Sequence, residues 1–229
     1  MSDTYAQDRA TELQTWTQDR TKLSSSLRNV ATMMLSDLDE PAYGTPPVYV
    51  AATGFDFSEF GATFADAMGG RLCGVACLST EICNLPFEER VFSVPQHYIE
   101  PIESQWLKDQ RALLYAQSII ADKGEVLTIL SRVVEKVGPK SLTVASVAIN
   151  ADVKCELETF LGRYFEGPNL RFVGETLNRD LRKLRSDIAT CLDDREVKRV
   201  PIMSPWLLQR RFGPDPKPEL RNGQLGPGW

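Results

Sequence analysis

The sequence predicts an α/β fold with a mostly parallel central sheet flanked by helices and an N-terminal helical extension. Short apolar runs rich in β-formers recur along the chain (PVYVAA, RLCGVACL, ALLYAQSII, SLTVASVAI, LRFVGE), and stretches with helical apolar spacing separate them. Within each run the apolar positions are consecutive rather than alternate, which marks strands covered on both faces. Of the 229 residues, 42% are hydrophobic and 25% charged. That balance suits one medium domain with a sizeable core and argues against wholesale disorder.

Taken in order, residues 3–38 are helical in composition, with a stripe of Leu23, Leu27, Val30, Met34, Leu35 and Leu38 at three- and four-residue spacing. Pro41, Gly44, Pro46 and Pro47 end it. The run PVYVAA predicts a strand, and Thr53-Gly54 leads into a helical pattern closed by Gly69-Gly70. RLCGVACL predicts a second strand; residues 84–110 are mixed, with one short strand expected over 90–94. ALLYAQSII reads as one buried strand, followed by an amphipathic helix over 124–137 that Gly138-Pro139 stops. SLTVASVAI, a helix over 151–161, a stop at Gly167-Pro168 and the strand LRFVGE complete the alternation. The expected organisation is an N-terminal helical segment at 1–40, an α/β domain at 41–213 and a Pro/Gly-rich tail at 214–229. Sheets of this kind bind ligands at the carboxyl ends of their strands, so the residues after each strand carry the functional information.

Composition narrows the function by exclusion. Lys+Arg total 26 against Asp+Glu 31, a net charge of −5, so a general phosphate-binding surface is disfavoured and only a local basic patch remains open. The single histidine, His97, removes His-based triads, haem ligation and most zinc hydrolases. No stretch approaches the ~20 apolar residues of a membrane span, and the polar N-terminus, with Asp3, Asp8 and Glu12, lacks the pattern of a secretory or transit signal. Five cysteines without a C-x-x-C pair indicate reduced thiols in an intracellular, soluble protein, cytoplasmic by default, with Cys73 and Cys77 as buried thiols. No metal or cofactor site is expected.

Gln117, Ser118, Ile119, Ile120, Ala121, Asp122, Lys123, Gly124 and Glu125 connect a strand to a helix N-terminus, the position of a phosphate cradle, but bring carboxylates instead of the usual glycines and hydroxyls. In the order of its elements the chain resembles the uracil phosphoribosyltransferase family, of type I phosphoribosyltransferase fold, from about residue 23 to residue 213. The family's phosphoribosyl diphosphate loop, Asp-Pro-Met-Leu-Ala-Thr-Gly-Gly-Ser, falls in register with residues 117–125, where Ala121 and Gly124 match. The family's Arg-Ala-Gly pyrophosphate turn corresponds to Ala52, Thr53 and Gly54; the arginine is replaced and the glycine kept. Gly174-Glu175-Thr176-Leu177-Asn178 keeps Leu177 and Asn178 of the family's Asp-Glu-Gly-Leu-Asn. Val200-Pro201 and Arg211-Phe212-Gly213 are similar to the two ends of the uracil-binding loop, whose middle here is apolar and includes Trp206.

The departures fall on the residues that the resemblance makes functional. Asp122 and Glu125 set anions where the family binds a 5′-phosphate, and two unit charges 4 Å apart repel by roughly 4 kcal/mol at an effective dielectric of ~20. Ala52 removes a bidentate phosphate clamp. The expectation is a degenerate, non-catalytic member serving as a structural or scaffolding subunit of a larger assembly, without catalytic residues or cofactors and with protein partners. A homodimer is implied by the resemblance alone. The alternatives are a divergent active nucleobase phosphoribosyltransferase, using Lys123, the Gly124 backbone and Asn178 or Glu175, and a nucleotide- or RNA-binding regulator.

Other features have plainer readings. Lys123 at a helix start reads as a solvated charge before a phosphate ligand, and Asp193-Asp194 as a solvated face or helix terminus. His97 reads as a surface or hinge residue. Arg179, Arg182, Lys183 and Arg185 have helical spacing and are a candidate nucleic-acid face, although Asp180 and Asp187 interrupt them. Trp206 either fills the old base pocket or makes a protein contact.

Overall fold

A computed structural model describes residues 3–38, 47–85, 88–99, 111–192 and 207. Two helices open the chain, α1 (Asp3–Trp16) and α2 (Arg20–Leu35), divided where the Asp19 carboxylate caps α2 by accepting from the Lys22 amide at 3.1 Å. Strand β1 (Val48–Thr53) leads through a π-helical turn (Phe57–Gly61) into α3 (Ala62–Met68). Next come β2 (Leu72–Leu85), β3 (Glu88–Ile99), β4 (Ala112–Ala116), β5 (Ile119–Ile120), α4 (Lys123–Val137), β6 (Ser141–Asn150), α5 (Ala151–Leu161), β7 (Leu170–Leu177) and α6 (Arg182–Leu192).

Across the sheet the order is β3-β2-β1-β4-β6, with β7 beyond β6; among the described strands only β3 is antiparallel. Short β5 pairs with Ala148 and Ile149 of β6 on the side of β4, so it continues the line of β4 after a break. The chain moves from β1 outward to β2 through α3, then from β4 the opposite way to β6 through α4. This reversal places α1, α2, α3 and α6 on one face of the sheet and α4 and α5 on the other.

The core consequently has two leaves. Val50, Ala52, Leu114 and Ala116 pack against Leu27, Met34, Phe64 and Ile188, whereas Tyr49, Ala51, Leu113 and Tyr115 face Val126, Leu130, Val133 and Leu157. Ala10 and Leu13 of α1 are fully buried in the first leaf, so the N-terminal helices share the core of the sheet. Cys73 and Cys77 are buried thiols, and burial raises the Cys73 pKa to about 11. No helix among the described residues is long and apolar enough to cross a membrane.

The N-terminal helical segment expected over residues 3–38 is made of two helices. Two other expectations need correction. The strand expected over 90–94 is the centre of the twelve-residue β3. ALLYAQSII is interrupted at Gln117-Ser118, opposite a register shift in β6 between Ala145 and Ala148. Ser118 O accepts there from the Val147 amide at 2.9 Å and the Ser146 hydroxyl at 3.1 Å.

Candidate functional site

The sheet reverses direction between β1 and β4, and a ligand crevice is expected outside the carboxyl ends of those two strands. The residues that meet there are Thr53, Gly54, Phe55 and Asp56 after β1, Gln117 and Ser118 after β4, Glu125 in the first turn of α4, Thr80 of β2 and Arg185 of α6.

The turn after β1 is bonded to itself and to its neighbours. Ala52 is fully buried, and its methyl group lies where any side chain on Gly61 would stand, 2.6 Å from an added Cβ. The space at 52 is therefore filled by the π-helical turn and has no room for an arginine. The Gly54 amide donates to Leu78 O at 2.9 Å, and a Cβ at Gly54 would meet Ser79 Oγ at 2.5 Å. Asp56 is fully buried; it accepts from Thr53 Oγ1 at 2.5 Å and from the Ser118 amide at 2.7 Å.

The loop after β4 is equally engaged. Asp122 caps α4, accepting from the Gly124 amide at 2.8 Å, so the chain's own carboxylate holds the helix N-terminus where a phosphate would bind. Lys123 pairs with Glu156 at 2.8 Å, both about half exposed. Glu125, 1% exposed, accepts from Arg185 Nε at 3.0 Å, Arg185 Nη2, Gln117 Nε2 at 3.0 Å and Thr80 Oγ1 at 2.8 Å. Gln117 accepts in turn from the Tyr115 hydroxyl at 2.5 Å and donates to Ile119 O at 3.0 Å. The Arg185 guanidinium lies 4.6 Å over the Phe55 ring. Among the described residues, β1, β2, the β4–β5 break, α4 and α6 thus occupy the switch point with two adjoining polar groups, one around Asp56 and one around Glu125.

Burial dominates the electrostatics. It raises the Asp56 pKa to about 6, against opposing contributions from the Ser118 and Thr53 hydrogen bonds and the Arg185 charge. It also lifts the Tyr115 phenol well above its ordinary value, with the Glu125 and Asp56 charges adding to the effect. A carboxyl raised on folding keeps its proton in the native state while the unfolded chain loses it, so stability falls as pH rises between about 4 and 6. For Asp56 the fall amounts to about 3 kcal/mol. Urea unfolding of wild type and Asp56→Asn from pH 4 to 7 checks this: the difference in stability is expected to move by that amount in favour of Asp56→Asn as pH rises.

An open cleft of about 680 Å³ lies at the ends of β5, β6 and β7, and Ala121 and Asp122 of the predicted phosphate loop form part of its wall. Lys123, Asn150, Glu156, Asn178, Arg179 and Arg182 line it. Arg185 turns inward while Arg179 and Arg182 reach this cleft, so the run 179–185 is divided between two places. Glu175, assigned with Asn178 to the divergent-enzyme alternative, is buried in β7, and Asn178 stands on the rim. Val200, Pro201, Trp206, Arg211, Phe212 and Gly213, the pair Asp193-Asp194, the 214–229 tail and the side chains of Cys83 and His97 lie outside the described residues. Among the described residues no cluster of three or more His, Cys, Asp or Glu is placed to hold a metal ion.

Sequence reasoning did not anticipate Asp56, Thr80, Tyr115 or the inward role of Arg185. The signal for Arg185 was present: Leu181, Leu184 and Ile188 form the buried stripe of its helix, and 185 stands four residues after 181, on that stripe.

No family model matches the chain, and no curated protein does. Among solved structures it is similar to the AQ2163 protein from Aquifex aeolicus, with TM-score 0.51, 10% identity, and coverage of 79% of this chain and 88% of that one. It also aligns with adenine phosphoribosyltransferase from Trypanosoma brucei, with TM-score 0.44, 15% identity, and coverage of 76% and 68%. Purine phosphoribosyltransferase from Pyrococcus horikoshii gives TM-score 0.38, 13% identity, and coverage of 64% and 82%. At these identities the likeness is one of fold.

Proposed function

We propose that the chain is a non-catalytic protein on a phosphoribosyltransferase-like fold, acting as a structural subunit of an assembly. The observation that carries this reading is the Glu125–Arg185 pair, which fills the switch-point crevice with the protein's own side chains. The self-bonded turn at Ala52, Thr53 and Gly54 and the Asp122 cap support it, because each satisfies internally a group that a transferase would offer to phosphate. The uracil assignment rests on the sequence resemblance alone. In this reading the α/β domain spans 41–213, extended by the helices of 1–40 and the tail of 214–229.

Titration calorimetry of the full chain with magnesium phosphoribosyl diphosphate, and with uracil, adenine and hypoxanthine, tests the proposal. The expected result is no heat of binding at millimolar ligand and no nucleotide product; micromolar binding together with turnover would overturn it. Pull-down at native expression tests the assembly role, and the expected result is a partner protein in fixed ratio.

A divergent phosphoribosyltransferase is the second reading, favoured by the open polar cleft that Lys123, Asn178, Arg179 and Arg182 share. Substrate heats abolished by Arg182→Ala but not by Arg185→Met would support it. A nucleotide- or RNA-binding regulator would use the same cleft cations without Arg185, and its signature is a complex that weakens steeply with salt.

A further inference from the structure

Two of the three donors around Glu125, Gln117 and Arg185, are held in place by partners other than Glu125. Gln117 is fixed by the Tyr115 hydroxyl and by Ile119 O. The Arg185 guanidinium is stacked on Phe55, and its helix is locked by the buried side chains of Leu184 and Ile188. Thr80 lies at the irregularity of β2 between Ser79 and Glu81, just beyond Leu78, the last residue of β2 paired with β1. Fork-shaped recognition by a guanidinium, completed by a hydroxyl and an amide, suits a planar carboxylate. Glu125 reaches this receptor from α4, and its carboxylate is 1% exposed.

We propose that the switch-point crevice is a receptor for a small carboxylate, masked by Glu125 acting as an internal ligand. Shortening residue 125 leaves a space the size of a carboxyl-bearing side-chain end, walled by the same donors, and formate or acetate enters it from solution to form the same hydrogen bonds. No bond is made or broken in the exchange. The proposal rests on the reading that the protein fills this crevice itself, and deepens it by naming the ligand class.

Thermal unfolding of full-length Glu125→Ala in sodium formate, acetate and phosphate, each matched in ionic strength to chloride, tests it. Glu125→Ala is expected to melt below wild type in chloride, and formate or acetate to restore at least half of that loss with saturation. Wild type and Glu125→Ala/Arg185→Met should show only the chloride response. Phosphate, larger than the vacated carboxyl, is expected to do no better than chloride. Absence of a carboxylate-specific rise, or an equal rise without Arg185, overturns the proposal, as does rescue by phosphate alone. If Glu125→Ala does not fold in chloride, refolding yield from urea is read instead, and a yield no higher in formate overturns it. Glu125→Gln, which keeps the volume filled, is expected to lose stability without gaining a formate response; a response equal to that of Glu125→Ala also counts against the proposal. Failed rescue leaves the non-catalytic reading intact, because that reading depends on wild-type titrations with phosphoribosyl diphosphate.

Discussion

Replacing Arg185 with methionine is expected to lower unfolding stability by about 3–5 kcal/mol, because it leaves the Glu125 carboxylate buried without a counter-charge. The magnitude follows from burial. Glu125 is 1% exposed and Arg185 25% exposed, so water cannot replace the guanidinium once it is gone. Lys123 and Glu156 supply the control: their contact is 2.8 Å but their exposures are 44% and 54%, and Lys123→Met should change stability by less than about 1 kcal/mol. The double variant Arg185→Met/Glu125→Met separates charge from packing. Removing both charges leaves no uncompensated ion, and at least half of the single-variant loss should return. The remainder belongs to Thr80 Oγ1 and Gln117 Nε2, which lose an acceptor at about 1 kcal/mol or more each. Urea unfolding of the three variants and wild type at constant pH checks the series. A double variant as unstable as Arg185→Met would mean that the side chains pack the crevice rather than neutralise each other.

The same network shows which parts of the protein its sequence announces. The strands are legible because burial on both faces demands unbroken apolar runs, and α4 is legible because Asp122 and Gly138 bracket a regular stripe; Gly138 adopts a left-handed conformation at φ 58°. β3 is hard to read. Among the described residues it is paired at one edge, by β2, so its composition need not be apolar, and Pro95 within it would argue against an interior strand. The break after β4 was signalled by two polar residues, Gln117 and Ser118, inside an otherwise apolar run. Their meaning depends on a carboxylate sixty-two positions earlier, Asp56, which accepts from the Ser118 amide. The loss of a phosphate cradle could be read from local residue types. What replaced it could not, since the Glu125–Arg185 contact joins positions sixty apart and is specified by the packing of α6 on the sheet.

Gly174 marks a position where backbone geometry, not side-chain chemistry, sets the demand. Its φ is 129°, a conformation nearly restricted to glycine, and a Cβ built on it would stand 1.6 Å from the carbonyl oxygen of Ser146. That carbonyl belongs to the register shift of β6, where the Ser146 hydroxyl donates to both Ser118 O and Ala148 O. Relief of the clash by moving β6 would pull Ser146 from Ser118, and with it the break that turns Gln117 toward Glu125. Relief by moving β7 would unpair Ala148 from Glu175. Neither adjustment is local, so Gly174→Ala is expected to cost about 3–5 kcal/mol, through backbone strain combined with a steric conflict in a close-packed sheet. Gly138→Ala is the control, because Gly138 also has a positive φ but nothing lies within 4 Å of its Cβ position. It should cost only the left-handed strain of an exposed helix end, about 1 kcal/mol. Parallel urea titrations of the two variants give the comparison, and equal losses would place the whole Gly174 effect in backbone conformation rather than in its approach to Ser146.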